Sequence, residues 1–162
     1  MTQQDYKLCF DQFFDALRNY LYYKCGDSEL ATDIVQDIFL KVWEKPIDVK
    51  SKTIKSLLYK MVNDAFFDHL RKNKVANKYL QRLDLTLSSS VPDEILEFKE
   101  LKQQYEIILA TLGEKQRSVF LMSRMEDLTY KEIGERLSIR VKAVEKRMSQ
   151  ALKVLKQKVG ER

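Results

Sequence analysis

Apolar residues recur at three- and four-residue steps along most of the chain, which predicts a succession of amphipathic helices. From Phe10 to Lys24 the pattern is aromatic-rich and turns Phe10, Phe13, Phe14, Leu17, Tyr20 and Leu21 inward, with Gly26 placed to end the helix. Asp27 or Ser28 can cap a second helix, in which the pairs Leu30/Ala31, Ile34/Val35, Ile38/Phe39 and Val42/Trp43 repeat every four residues until Pro46 closes the run. Its polar side carries Asp33, Gln36, Asp37, Lys41 and Glu44, for which a solvated face is the default reading. A polar connection from Ile47 to Lys52 leads to a third helix from about Thr53 to Asn73, burying Leu57, Leu58, Met61, Ala65 and Leu70. Along and beyond it Lys55, Lys60, Arg71, Lys72, Lys74 and Lys78 alternate with Tyr59, Phe66, Phe67 and Tyr79. Basic residues beside exposed aromatics hold unstacked single-stranded bases; the same aromatics serve equally well as core.

The periodicity fails at Asp84 to Asp93, DLTLSSSVPD, where a serine run and Pro92 predict a flexible linker. It resumes beyond, and LTYKEIGERLSIRVKAVEKRMSQALKVL, residues 128–155, reads as two short helices about a tight turn. Thr129 and Glu132 have the spacing of a reciprocal capping box. Ile133 and Leu137 form the inner stripe of the first helix; Val144, Met148, Leu152 and Leu155 form that of the second. Gly134 costs about 1 kcal/mol relative to alanine inside a helix, so its presence predicts a close approach by the neighbouring helix. Lys142, Glu145, Lys146, Ser149, Gln150 and Lys153 project together from the outer face, the arrangement needed to read base edges in a major groove. Plain structural hairpins share this pattern, so it leaves DNA binding and simple packing both open.

Four glycines and two prolines in 162 residues are too few turn formers for a sheet protein and favour helices throughout. Cys9 and Cys25 form no disulfide framework, and one histidine, His69, with no CxxC pair argues against a zinc site. No apolar run approaches the ~20 residues of a membrane span, and the N-terminus lacks a signal-peptide pattern, so a soluble cytoplasmic protein is expected. The absence of clustered His/Cys ligands, of a phosphate-cradling glycine loop and of a nucleophile–base pair argues against an enzyme and against a metal or other cofactor.

The net charge of +5 is unevenly distributed. Residues 1–48 carry five basic against nine acidic side chains and residues 50–82 nine against two. The alternation repeats, with six against ten over residues 93–135 and eight against one over residues 136–158. Two acidic-then-basic units predict two separate patches for a polyanion, each tied to an acidic surface that could meet another partner.

At three collinear stretches the chain resembles the extracytoplasmic-function (ECF) group of bacterial RNA polymerase sigma factors. ATDIVQDIFLKVW, residues 31–43, and LLYKMVNDAFFDHLRK, residues 57–72, are similar to its first-domain helices. LGEKQRSVFLMSRMEDLTYKEIGERLSIRVKAVEKRMSQAL, residues 112–152, is similar to its helix-turn-helix domain. The resemblance implies an all-α fold of two small helical domains joined by a flexible linker: residues 1–83, a linker over 84–93, and a four-helix helix-turn-helix domain over 94–162. It further implies docking of Asp33, Gln36, Asp37 and Trp43 on the clamp helices of the core enzyme's largest subunit, with the flap as a second contact. Single-stranded −10 promoter DNA would meet Lys52, Lys55, Tyr59, Lys60, Asn63, Asp64, Arg71 and Lys72. Duplex −35 DNA would meet Thr129, Arg140, Lys142, Glu145, Lys146, Arg147, Ser149 and Gln150, with Lys142 and Arg147 mainly on phosphates and Glu145, Lys146, Ser149 and Gln150 nearest the bases. Members of the group are usually held inactive by a membrane-linked anti-sigma factor, which is a further expected partner, with no membrane insertion by the chain itself.

The chain departs from the group at Gly113, where proline is frequent, at Ser138, a turn glycine, and at Ala143, a recognition-helix threonine. The group's tryptophan near Leu57 is absent, and its single-strand-pocket asparagine falls on Asp64, with Asn63 one residue earlier. Either Asp64 reads an exposed base amino group or the pocket is built differently. The alternative function is a helix-turn-helix regulator that binds duplex operator DNA alone and normally dimerises to match two half-sites. A helical adaptor with incidental basic faces is a further possibility.

Overall fold

A computed structural model describes residues 1–73, 104 and 106–160. Every regular element among them is a helix: α1 (Gln3–Cys25), α2 (Ser28–Glu44), α3 (Ile54–Lys72), α4 (Glu114–Glu126), α5 (Tyr130–Leu137) and α6 (Val141–Gly160), with residues 106–111 also helical. The predicted 84–93 linker, Lys74, Lys78 and Tyr79 lie outside the described residues.

Helix α1 begins seven residues before the predicted Phe10, because Thr2 and Asp5 form a reciprocal capping box and Tyr6 and Cys9 continue the inward stripe. Gly26 ends it in the left-handed region, φ 69°, where glycine carries no Cβ penalty. Asp27 caps α2 by accepting from the Glu29 and Leu30 amides. Ala31, Val35, Ile38, Phe39 and Val42 are buried, whereas Trp43, paired with Val42 in the sequence pattern, is 50% exposed and meets the Tyr6 ring edge-on at 5.0 Å.

The inner face of α3 differs from the one predicted. Ile54, Leu58, Tyr59, Val62 and Phe66 are buried, Leu57 is 38% exposed, and Met61, Ala65 and Leu70 are only partly covered. The cause is a second neighbour. Helix α3 packs on α1 and α2 from one side and on α5 from the other, so two faces are covered and the stripe rotates towards Tyr59. In α6 the stripe is Val144, Met148, Ala151 and Leu155; Ala151 takes the inward place expected for Leu152, which is 42% exposed.

Helices α1–α3 form a first lobe and α4–α6 a second, and the lobes are packed together. Helix α4 lies along α1, α5 lies on α3, and the buried residues of both lobes form one continuous core.

Candidate nucleic-acid interface

The helix-turn-helix is assembled by local interactions that its sequence specifies. The Thr129 hydroxyl accepts from the Glu132 amide at 3.2 Å and donates to Glu132 Oε1 at 2.9 Å, while the Thr129 amide donates to the same carboxylate. These bonds hold the exposed Glu132 carboxyl below its ordinary value. The Thr129 hydroxyl, predicted to face DNA, is thereby engaged as a helix cap. At the turn, Ser138 adopts φ 55°, the left-handed conformation that favours glycine, and the Ile139 amide closes back on the Gly134 carbonyl at 3.0 Å. A Cβ on Gly134 would stand 2.8 Å from the Ile139 carbonyl oxygen, so the close approach comes from the backbone of the turn and not, as expected, from the neighbouring helix, whose Val144 side chain lies at 3.7 Å.

Beyond the turn, Arg140, Lys142, Glu145, Lys146, Ser149 and Gln150 are exposed and Arg147 is half-buried. The first four exposed residues and Ser149 share an open outer surface; Gln150 instead accepts from the Gln116 side-chain amide at 3.0 Å. Ala143 is half-buried, at the edge of the packed face.

On the first lobe Lys52, Lys60, Asp64, Arg71 and Lys72 are exposed and Lys55 half-buried. Arg71 pairs with Asp68, whose exposed carboxyl it holds low. Two residues of the predicted single-strand set are placed otherwise. Tyr59, for which stacking on bases and packing in the core were both open, is buried with its ring edge-on to Tyr20 at 5.3 Å, and its hydroxyl faces Arg136 of α5 at 3.4 Å. Asn63 is half-buried and its Oδ1 already accepts from the Tyr20 hydroxyl at 3.2 Å and from the Lys24 ammonium. Asp64, one residue on, points to solvent. Asn63 therefore faces inward between α1 and α3, and Asp64 occupies the open surface.

Tyr20, Tyr59 and Asn63, with Thr53, Ser56, Leu57 and Lys60, line a cavity of about 450 Å³ closed on its far side by Leu137 and Ser138 of the second lobe. The helix-turn-helix thus covers part of the first lobe's basic, aromatic face. The acidic side of α2 is open: Asp33, Gln36, Asp37 and Trp43 are all exposed, and Leu40 extends the same stripe.

Sequence reasoning missed the groups that join the lobes. Arg117 on α4, 1% exposed, donates from Nε to the Tyr23 carbonyl at 2.6 Å, from Nη2 to the Lys24 carbonyl and from Nη1 to the Leu112 carbonyl at 2.9 Å. Tyr23 and Lys24 lie in the last turn of α1, where carbonyls have no partner within their helix and where a cation complements the helix dipole. Burial lowers the Arg117 pKa to about 10, still charged at neutral pH. Lys24, 2% exposed, meets Glu114 at 3.2 Å across the lobes, and Glu126 meets Arg136 at 3.4 Å inside the second lobe. The available signal was register: Lys24 and Arg117 are charges at inward positions of apolar stripes, which polar chains rarely tolerate without a partner.

Among the described residues no group of three or more His, Cys, Asp or Glu side chains could hold a metal ion, and no helix is long and apolar enough to cross a membrane.

Sigma-70 region 2 matches residues 9–75 and sigma-70 region 4 matches residues 102–155, together covering most of α1, all of α2–α5 and most of α6. The ferric citrate uptake sigma factor FecI of Escherichia coli is 29% identical over 138 residues, 84% of this chain and 80% of that protein. The ECF RNA polymerase sigma factor SigW of Bacillus subtilis is 25% identical over 162 aligned residues, 92% of this chain and 86% of its own. The fold is that of the sigma factor RpoE of Bartonella quintana, crystallised with the anti-sigma factor NepR, with a TM-score of 0.61 and 20% identity over 97% of this chain and 98% of that one. The chain belongs to the sigma-70 family of RNA polymerase sigma factors, in its extracytoplasmic-function group.

Proposed function

We propose that the chain gives RNA polymerase core enzyme its promoter choice through two DNA contacts made by two domains, residues 1–83 and 94–162, joined by residues 84–93. The observation that carries this reading is the presence of regions 2 and 4 on one chain, each with a basic exposed surface. Like other sigma factors it acts as a transcription initiation factor and makes no covalent change itself. Core enzyme is met by Asp33, Gln36, Asp37 and Trp43 on the clamp helices of its largest subunit, and by the second lobe on the flap. Support for the first contact is the open α2 face, where Leu40 and Trp43 form an apolar centre flanked by carboxylates.

The second lobe takes −35 duplex on a face that runs from Thr129 and Arg140 along α6, with Lys142 and Arg147 mainly on phosphates and Glu145, Lys146, Ser149 and Gln150 nearest the bases. The first lobe holds the melted −10 strand on Lys52, Lys55, Lys60, Arg71 and Lys72, with Asp64 on the open surface and Tyr59 and Asn63 within reach once the lobes part. An anti-sigma factor restrains the chain in the cytoplasm by binding it with both DNA faces hidden.

Purified chain mixed with core enzyme is expected to initiate transcription from a subset of a genomic promoter pool. No sequence-dependent initiation across that pool would defeat this reading. A shift of duplex operator by the chain alone, at the affinity reached with polymerase, would favour a stand-alone regulator instead.

A further inference from the structure

Lys24 is a buried cation with three hydrogen-bonding partners. Its ammonium donates to the Tyr20 hydroxyl at 3.3 Å and to Asn63 Oδ1, and the third direction meets Glu114 Oε2 at 3.2 Å. An ammonium has three protons, so the set is complete. The wall around it is aromatic, with the nitrogen 4.7 Å from the Phe67 ring centroid, 5.4 Å from that of Phe66 and 5.1 Å from that of Tyr20. Two of the three polar partners belong to the first lobe and are neutral. Among the described residues the carboxylate paired with Lys24, that of Glu114, comes from the second.

That division has a physical consequence. A charge among aromatic rings is tolerated when it is paired, and removal of its counter-ion leaves it uncompensated. Separation of the lobes takes Glu114 away and leaves Lys24 bonded to Tyr20 and Asn63, two of the residues that line the cavity also bordered by Lys60 and Thr53. We propose that Lys24 is an anion site of the first lobe, filled by the Glu114 carboxylate while the lobes are closed and by a phosphodiester of single-stranded DNA once they part. The site rests on the proposed −10 role of this face. Glu114 is then a stand-in for phosphate, and the closed chain masks its own strand-binding site. Arg117 holds the mask in place, since it ties α4 to the α1 carbonyls of Tyr23 and Lys24 itself. With the lobes closed, Phe66 and Phe67 add a cation–π contribution that favours the charged ammonium against the burial that lowers its pKa.

The test measures binding of a fluorescently labelled A/T-rich single-stranded 12-mer to the full chain by anisotropy, across a salt series. The variants are Glu114→Gln, Lys24→Met and the pair together, each checked for native helix content by circular dichroism. Glu114→Gln is expected to bind the strand at least five-fold tighter than the unmodified chain, and Lys24→Met to abolish that gain in the double variant. The salt slope of Glu114→Gln should exceed that of the double variant by about 0.7, the value for one phosphate on a single strand. Should Lys24→Met fail to fold, Lys24→Gln replaces it with the same expectation. A Glu114→Gln affinity equal to that of the unmodified chain, a double variant that keeps the gain, or no strand binding by any variant overturns the assignment. Promoter-directed initiation with core enzyme, run on the unmodified chain, reports separately: its absence defeats the sigma-factor reading, whereas its presence beside a failed anisotropy result defeats only the role of Lys24.

Discussion

The guanidinium of Arg117 and the backbone carbonyl of Tyr23, in different lobes, are joined by a 2.6 Å hydrogen bond at the buried C-terminal end of α1. With the Lys24 and Leu112 carbonyls, it makes one side chain the partner of three backbone acceptors. Replacement by methionine keeps much of the volume and leaves all three unsatisfied. An unpaired buried acceptor costs about 1–3 kcal/mol, so Arg117→Met should lose about 3 kcal/mol or more in urea denaturation. Arg117→Lys should recover only part of this, because a single ammonium cannot reproduce the planar fork. A midpoint unchanged in both variants would show that the contact contributes nothing to stability.

What could be read in advance was the local part. Gly26, Asp27 and the Thr129/Glu132 box act on backbone within a few residues, so sequence spacing specifies them, and the structure has each where it was expected. The face of α3 was misread because its covering comes from two sides, and α5, which buries Tyr59, is more than 70 positions away. Lys24 and Arg117 lay in plain view as charges within apolar stripes, but their partners are set by how the lobes pack, and helical periodicity carries no information about that. The candidate DNA residues of α6 were legible for a different reason: exposure on an amphipathic helix follows from its buried stripe, and only Leu152 and Ala151 were exchanged.

Gly134 separates two opposing effects of alanine. Helix propensity favours Gly134→Ala by about 1 kcal/mol. Against it, the new Cβ would stand 2.8 Å from the Ile139 carbonyl oxygen, a backbone atom in a turn already tied to Gly134 by the Ile139 amide. Overpacking of this kind costs about 1–3 kcal/mol, and the clash should prevail. Thermal denaturation should show a lower midpoint for Gly134→Ala; a raised one would mean that the turn relaxes without cost.

Ser138 presents the reverse case at the next turn of the chain. Its φ of 55° is costly for a residue with a Cβ, and its amide bonds to the Gly134 carbonyl through backbone alone. Ser138→Gly should therefore stabilise the protein by about 0.5–1 kcal/mol, with promoter preference unchanged, since the hydroxyl is outside the proposed base-reading set. A loss of stability would imply that the serine hydroxyl anchors the turn.

The capping box of α5 makes a pH dependence with a defined sign. Bonds from the Thr129 amide and hydroxyl hold the Glu132 carboxyl below its ordinary value, so the folded chain binds that proton more weakly than the unfolded chain. The stabilisation is present above the ordinary glutamate range and is lost as pH falls through the depressed value. Glu132→Gln can keep a hydrogen bond but has no proton to take up, so between about pH 5 and pH 3 its midpoint should fall less steeply than that of the unmodified chain. Parallel curves would show that the carboxylate's charge is irrelevant to the cap.

The outer face of α6 should divide into residues that choose sequence and residues that only hold DNA. Lys146 is exposed on the open surface, and Gln150 is exposed while its side-chain carbonyl accepts from Gln116. Arg147 is half-buried beside the lobe contact, close enough to Lys24 for its charge to oppose that of the ammonium, so its head group has less freedom to follow base edges. In polymerase-bound form, Lys146→Ala and Gln150→Ala should each change −35 preference by about 1–3 kcal/mol at one base position. Arg147→Ala should weaken every sequence by a similar factor and lower the salt dependence by about one phosphate. Competition binding over a library of −35 variants measures all three at once. Equal losses on every sequence for Lys146→Ala and Gln150→Ala would remove both from base readout and leave Glu145 and Ser149, the remaining exposed members of that face, as the residues to test.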